Sequence, residues 1–347
     1  MENGINARQA KRHTVYEKVD EALYHFRLSG TYMGRVRGGF IYNTNKGIVI
    51  VDMYSGNRQK LEARARVCDE LYDNGINVSC YIKGEDNTYF YENEDSDTYT
   101  VYSFCAFQEC NEKRLEDICT SLKALAMLHK VLDEKIEVPM LGLTGEEFQI
   151  ARSYIKEYDK HNKELKKIRN YLSGRKTRTD FELLAFRECN AYLEEGLDAL
   201  TRLENSDYEL RFNQAVSDKK LCQGDFNYHN IYTDGDRYLI TGFSQMRNDL
   251  YIVDLYNFMR KLMEKYDWDI KMGYLMLREY DKVNTLSAQD INILGAMFAY
   301  PEKFWKILNY YFNANKAWIP NRNMDKLKTV VNQNRMRREF VRTLCGS

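Results

Sequence analysis

Residues 221–243 constrain the fold more than any other segment, because a polar loop is followed there by two short strand-like runs and a tight turn. Asp225 and Asn230 are five positions apart in the loop, and Asp234-Gly235 separates the strand-like runs beginning at Ile231 and ending at residue 240. An Asp-Gly pair between two such runs is a strong hairpin signal. The segment therefore predicts a loop, a strand, a turn and a strand, with Gly242 just beyond.

The spacing of Asp225 and Asn230 matches the catalytic loop of kinase-type phosphotransferases, in which the Asp accepts the proton of the attacking hydroxyl and the Asn helps to hold magnesium. The simpler interpretation is an Asp that stabilises its own loop. The main magnesium ligand of such a site is an Asp after the hairpin, but this position is Gly242, which offers no side-chain oxygen. Asp225 and Asn230 are thus candidate catalytic residues, Asn230 is a metal ligand only if the site is active, and Gly242 marks a damaged metal site.

Further segments carry a resemblance to a known family. With the loop and a helix that begins near Asp254, the chain resembles the aminoglycoside phosphotransferase and choline kinase superfamily, and within it the CotS-like spore coat proteins of endospore-forming bacteria. The resemblance implies an α+β, protein-kinase-like fold with a strand-rich N-terminal lobe at 1–107 and a mostly helical C-terminal lobe at 108–347, joined by a hinge at 104–110. The other segments that carry it are residues 35–47, 52–56, 107–110 and 125–130.

Local patterns agree with this organisation. Leu61, Ala65, Cys68 and Leu71 form one stripe of a helix that Gly75 ends. His129 closes a second helix, and a third helix is followed by a polar loop around residues 173–174. The predicted strands are 36–43, 47–53, 81–91 and 99–105. The predicted helices include 57–74, one from residue 252, and one within the segment 156–178 that ends at the loop around residues 173–174.

The first lobe lacks the cation that this fold uses to grip nucleotide phosphates. The resemblance places Asp52 where that lysine belongs, so Glu62, its expected partner, has no cation to meet. Two like charges 4 Å apart repel by roughly 4 kcal/mol at an effective dielectric constant of 20. Arg37, in a glycine-containing segment, could still attract an anion, and Lys46 or Lys60 could substitute only from another backbone position. Arg37, Asp52, Glu62 and Gly242 therefore form a degenerate nucleotide site.

Three functional hypotheses follow from the resemblance. The first is a pseudokinase, a degenerate phosphotransferase with a structural or assembly role in the spore coat, which needs no cofactor and has other coat proteins as partners. The second is an active ATP-dependent small-molecule phosphotransferase that uses Mg²⁺, with Asp225 as base and Asp249 or Asp254 as the relocated metal ligand. The third is a nucleotide-binding switch without catalysis. In all three, Gln223 is expected to brace the loop, and Asp254 is more simply a brace at a helix start.

Composition excludes several other classes. Lys plus Arg and Asp plus Glu are 51 each, so no field of one sign favours nucleic acid. The N-terminus lacks a signal-peptide pattern and no run is apolar enough to insert in a membrane, which predicts cytoplasmic synthesis before assembly into the coat. The 8 cysteines and 5 histidines show no zinc spacing. The 27 tyrosines are expected mainly in packing, although exposed tyrosines would suit a cross-linked shell.

Overall fold

The computed structural model describes residues 18–36, 39–313 and 320–346. Residues 18–25 form helix α1. The strands that follow are β1 (Gly30–Val36), β2 (Gly39–Thr44), β3 (Gly47–Met53), β4 (Tyr91–Glu92), β5 (Thr98–Ser103), β6 (Gln108–Glu109), β7 (Gln149–Ile150), β8 (Leu221–Cys222), β9 (Ile231–Asp234), β10 (Arg237–Ile240) and β11 (Arg247–Asn248). The longer helices are α2 (Arg58–Asp73), α3 (Leu115–Glu134), α4 (Tyr154–Gly174), α5 (Asp180–Glu204), α6 (Tyr208–Ser217), α7 (Ile252–Met263), α8 (Ile270–Asp281), α9 (Ala288–Ala299), α10 (Glu302–Asn313) and α11 (Pro320–Cys345).

The backbone divides into two compact units. Unit 1 comprises residues 1–149 and 228–246, and unit 2 comprises residues 150–227 and 247–347. These units do not follow the division at residue 107 that the sequence suggests, and the lobe boundaries and hinge stay predictions.

Unit 1 is built on a five-stranded antiparallel sheet in the order β1-β2-β3-β5-β4. Its central strand β3 is buried along Val49–Val51, and Val49 and Val51 share a core with Val19 of α1 and with Phe26, which follows α1. A second small sheet, in the order β10-β9-β6, carries the hairpin that the Asp-Gly signal predicts. Gly235 has a φ of +61°, a left-handed conformation that glycine adopts without strain, and this confirms the turn.

Most of the local predictions in unit 1 are confirmed. The β2–β3 hairpin and β5 fall where the strand patterns place them, and α2 begins at its cap Asn57, whose Oδ1 accepts the Lys60 backbone N–H at 3.1 Å. The predicted strand at 81–91 is wrong for most of its length. Residues 84–88 form a turn instead, because Asp86 Oδ1 accepts the Thr88 N–H and the Gly84 N–H donates to the Thr88 carbonyl.

Unit 2 is almost entirely helical, as predicted. Its core joins α4, α5, α10 and α11 through Leu165, Ala185, Phe304 and Leu327, all fully buried. Two helix ends differ from the prediction: α4 continues through Gly174, and in unit 1 α3 runs past His129 to Glu134. Polar residues ended the sequence patterns early, whereas the buried Leu172 and Leu132 keep these last turns packed.

Tyrosines account for much of the buried aromatic volume. Tyr158, Tyr192, Tyr256 and Tyr300 are all buried in unit 2, and the rings of Tyr158 and Tyr300 stack with centroids 3.7 Å apart. Packing therefore explains a substantial part of the tyrosine excess. In the described segments, none of the helices combines the length and the apolar character needed to cross a bilayer.

Candidate functional site

The candidate residues fall in both units. Unit 2 contains Asp225, and unit 1 contains Asn230, Gly242, Asp52 and Glu62. Arg37 lies outside the described residues.

In unit 2, the loop after β8 is held by a buried carboxylate at the start of α7. Asp254, which is 1% exposed, accepts the backbone N–H of Gln223 at 2.8 Å and that of Gly224 at 3.1 Å. Gln223 Oε1 in turn accepts the backbone N–H of Asp225 at 2.7 Å. Both braces expected from the sequence are confirmed, and together they fix the backbone that carries Asp225.

The carboxylate of Asp225 is flanked by an amide and a lysine. Asn227 Nδ2 donates to Asp225 Oδ1 at 3.0 Å, and Lys261 Nζ, from the last turn of α7, lies 3.8 Å from the same oxygen. Burial lowers the pKa of Lys261, and the charge of Asp225 opposes that shift. The same carboxylate oxygen of Asp225 therefore accepts an amide hydrogen bond and lies near an ammonium group. Sequence reasoning missed Lys261, because only the fold brings α7 to this loop.

Asp249 is already engaged in an ion pair. Its carboxylate is 1% exposed, and Arg247 Nε donates to its Oδ2 at 3.1 Å while Arg247 Nη1 donates to the Gly224 carbonyl at 2.7 Å. Burial raises the pKa of Asp249 to about 6, and the guanidinium offsets part of that rise. The two carboxylates that an active enzyme would recruit for magnesium, Asp249 and Asp254, thus both hold the loop.

In unit 1, the side chain of Asn230 lies against Gly242. A Cβ built on Gly242 would be 2.6 Å from Asn230 Cγ and 2.7 Å from Nδ2, far inside van der Waals contact. Gly242 also has a φ of +77°, and the Thr241 backbone N–H donates to the Asn230 carbonyl at 2.8 Å. The Asn230 amide therefore fills the space into which an acidic side chain at position 242 would project.

A buried arginine that contacts the segment after Gly242 was not predicted from the sequence. Arg64 of α2 is 8% exposed, and its Nη1 donates to the Ser244 carbonyl at 2.9 Å while its Nη2 donates to the Tyr54 hydroxyl at 2.8 Å. The helical spacing could have revealed it. Arg64 follows Leu61 by three positions and precedes Cys68 by four, so it lies on the buried stripe of α2. A buried cation thus fixes the backbone two residues beyond Gly242.

Asp52 and Glu62 are both half-buried in unit 1, and neither takes part in an ion pair within the described part of the chain. Burial raises the pKa of Asp52, and a hydrogen bond from the Met53 backbone opposes that rise only in part. Asp52 lies in β3 opposite Thr100 of β5. Its carboxylate is therefore held where desolvation is not compensated by a cation.

The two histidines singled out from the sequence have different surroundings. His129 is buried in α3, and His229 is partly exposed with its Nδ1 2.5 Å from Glu109 Oε1. Within residues 18–36, 39–313 and 320–346, no group of three or more His, Cys, Asp or Glu side chains is arranged to hold a metal ion.

The architecture is shared with phosphotransferases of known structure. The aminoglycoside phosphotransferase from Alicyclobacillus acidocaldarius superposes with a TM-score of 0.79 over 94% of each chain, at 16% identity. Spectinomycin phosphotransferase, solved with ADP and spectinomycin, has a TM-score of 0.57 at 11% identity and covers 89% of this chain and 92% of its own. The chain therefore has the protein-kinase-like α+β fold of these enzymes, as predicted.

In sequence, the chain is similar to Spore coat protein S of Bacillus subtilis (strain 168), with 25% identity over 140 residues. The match covers 40% of this chain and 40% of the length of that relative. No protein-family model matches the chain. The solved structures thus show the fold, and the sequence similarity to a spore coat protein agrees with the predicted resemblance over 40% of the chain.

The contact between Asn230 and Gly242 gives a double-mutant prediction. We expect Gly242→Ala to destabilise the protein by about 1–3 kcal/mol, because the methyl group meets Asn230 and the φ is unfavourable for alanine. In an Asn230→Ala background the steric part should disappear, with a coupling energy of about 0.5–3 kcal/mol measured by chemical denaturation. Gly235→Ala is the matched control, since its φ is also positive but nothing lies within 4 Å of its Cβ position. Additive effects of the Gly242 and Asn230 changes would contradict the contact.

Asp52 gives a pH-dependent prediction. Its pKa is raised in the folded protein, so the folded state binds the proton more tightly than the unfolded chain and stability is lost as pH rises through these values. Asp52→Asn should therefore raise the melting temperature at pH 7, and the gain should vanish below the unfolded pKa of about 3.9. The same substitution measured at pH 3, where the carboxyl group is protonated in both states, is the internal control. A gain that is equal at pH 3 and pH 7 would contradict this prediction.

Proposed function

We propose that this chain is a kinase-fold component of the bacterial spore coat that has lost phosphoryl transfer and serves in coat structure or assembly. The similarity to Spore coat protein S supports the location, and the protein-kinase-like fold supports descent from a phosphotransferase. The loss of catalysis is inferred from the chain's own residues.

The observation that carries the proposal is the packing of Asn230 against Gly242. A phosphotransferase of this kind holds Mg²⁺ with an Asn and an Asp, and Mg²⁺ requires several oxygen ligands in a near-octahedral arrangement. Gly242 supplies no ligand, and the Asn230 amide occupies the space that a ligand at that position would need. These residues therefore do not fit a magnesium ion between β9 and the segment after β10.

The charges of Asp52 and Arg64 in unit 1 also support a loss of phosphoryl transfer. Asp52 replaces a cation with a half-buried carboxylate, and the buried Arg64 that could have compensated donates its hydrogen bonds to Ser244, Tyr54 and Lys60. Anionic phosphates would therefore meet a negative group where the fold normally supplies a positive one.

The second candidate is an active small-molecule phosphotransferase that uses ATP and Mg²⁺. The observation that favours it is the intact loop, in which Gln223 and Asp254 still hold Asp225 in a defined position. Against it, Asp249 would have to leave Arg247, and Asp254 would have to release the Gln223 and Gly224 N–H groups, before either could bind a metal. Breaking a buried ion pair of this kind costs about 3–5 kcal/mol.

Complementation of a deletion strain with wild-type or variant protein, in the endospore-forming bacterium that makes the chain, tests both its location in the coat and its need for catalysis. We expect the wild-type chain in the extracted coat fraction, and we expect Asp225→Asn to restore the coat protein profile of a deletion strain as fully as wild type does. The substitution keeps Oδ1, which accepts the Asn227 amide, so the loop should fold. Leu165→Ala, which removes a buried side chain, is the control for loss of folding and should lower recovery.

Two outcomes would count against the proposal. Absence of the wild-type chain from the coat fraction would contradict the coat role. A coat defect in the Asp225→Asn strain, with normal amounts of folded protein, would show that phosphoryl transfer is retained and would favour the second candidate.

A further inference from the structure

We infer that unit 2 contains a second binding site, a cavity between α5 and α11 that takes a small organic polyanion. The cavity has a volume of about 760 Å³ and is lined by residues of these two helices and by Ala299 at the end of α9. Ligand pockets in proteins typically enclose roughly 300–1,000 Å³. Nothing in the kinase-like loop contributes to it, so it is independent of the function proposed above.

One wall of the cavity is an arginine stripe, which we define as Arg335, Arg338 and Arg342. Their spacing of three and four residues places them on one face of α11, and all three are exposed. Arg335 and Arg342 form no ion pair with the described residues, and Arg338 has only a contact of 3.8 Å between its Nε and Glu195 Oε1. Guanidinium groups bind phosphate and carboxylate through paired N–H donors, and each arginine of the stripe offers such a pair.

The acidic residues of the lining are largely neutralised by other arginines. Glu195 is paired with the buried Arg337, which also donates to the Phe298 carbonyl at 3.1 Å. Asp198 accepts from Arg202 Nε at 2.8 Å. Only Glu194 and Glu339 remain against the three arginines of the stripe, which leaves a net positive wall facing the cavity.

The volume and the mixed lining of the cavity suit a small molecule with charged and apolar parts. The cavity is concave, and Ala191, Ala299 and Val341 supply an apolar lining beside the charged wall. A ligand with a compact carbon skeleton and at least two negative charges would satisfy both features. Phosphate esters and polycarboxylates share this chemistry.

Calorimetric titration of the full chain at constant ionic strength, with pyrophosphate and separately with citrate, tests the site. We expect saturable binding of at least one probe without added Mg²⁺, and we expect Arg338→Gln/Arg342→Gln to weaken it about tenfold or more. Lys326→Gln/Lys328→Gln is the matched control, because it removes the same charge from exposed positions of the same helix away from the cavity. Acetate at equal ionic strength measures non-specific screening.

The acidic residue Glu194 gives a result of opposite sign. Because its carboxylate repels an anion in the cavity, Glu194→Gln should tighten binding. Binding of pyrophosphate alone would indicate a phosphate ester, and binding of citrate alone or of both would indicate recognition of charge on carboxylates as well. The inference is overturned if neither probe binds, if the arginine and lysine variants lose affinity equally, or if Glu194→Gln weakens binding.

Discussion

The carboxylate of Asp254 is the interaction on which the organisation of unit 2 around Asp225 depends. It is buried in the first turn of α7, where the helix end favours a negative charge, and it accepts two successive backbone N–H groups of the loop after β8. Arg247 adds a hydrogen bond to the carbonyl of the same loop and pairs with Asp249. The loop is therefore fixed by two buried carboxylates and a partly buried guanidinium, and removing one member of such a set is costly.

In unit 1 the candidate residues are surrounded by packing contacts and by a buried arginine. Asn230 fills the space at Gly242, Arg64 fixes the backbone at Ser244, and Asp52 places a half-buried carboxylate in β3. These contacts fill the space beside Gly242 and leave the Asp52 carboxylate without a cation partner among the described residues. The chain shares the fold of phosphotransferases, and we propose that it lacks the electrostatic arrangement that phosphoryl transfer requires.

Sequence reasoning was most successful where the chemistry is local. The Asp234-Gly235 turn, the Asn57 cap of α2 and the strand pair β2–β3 each depend on a few adjacent residues, and the structure contains all three. The strand expected at 81–91 failed because Asp86 and Gly84 close a turn that outweighs the strand propensity of the neighbouring tyrosines.

The decisive contacts of the candidate residues could not be predicted in this way. Lys261 approaches Asp225 from a helix that follows in the chain, and Arg64 reaches Ser244 from a helix that precedes it by 180 residues. The filling of space by Asn230 depends on a backbone geometry at Gly242 that spacing alone does not reveal. Motif residues were identified from the sequence, but their partners are set by tertiary packing.

Isothermal titration of the protein with ATP, with and without Mg²⁺, tests most directly the claim that the phosphate side no longer holds a metal-bound nucleotide. The account predicts that Mg²⁺ produces no increase in affinity, and that Asp225→Asn and Asn230→Ala leave the titration unchanged. Binding with a Kd in the micromolar range, about −8 kcal/mol, that requires Mg²⁺ and is lost on either substitution would contradict it.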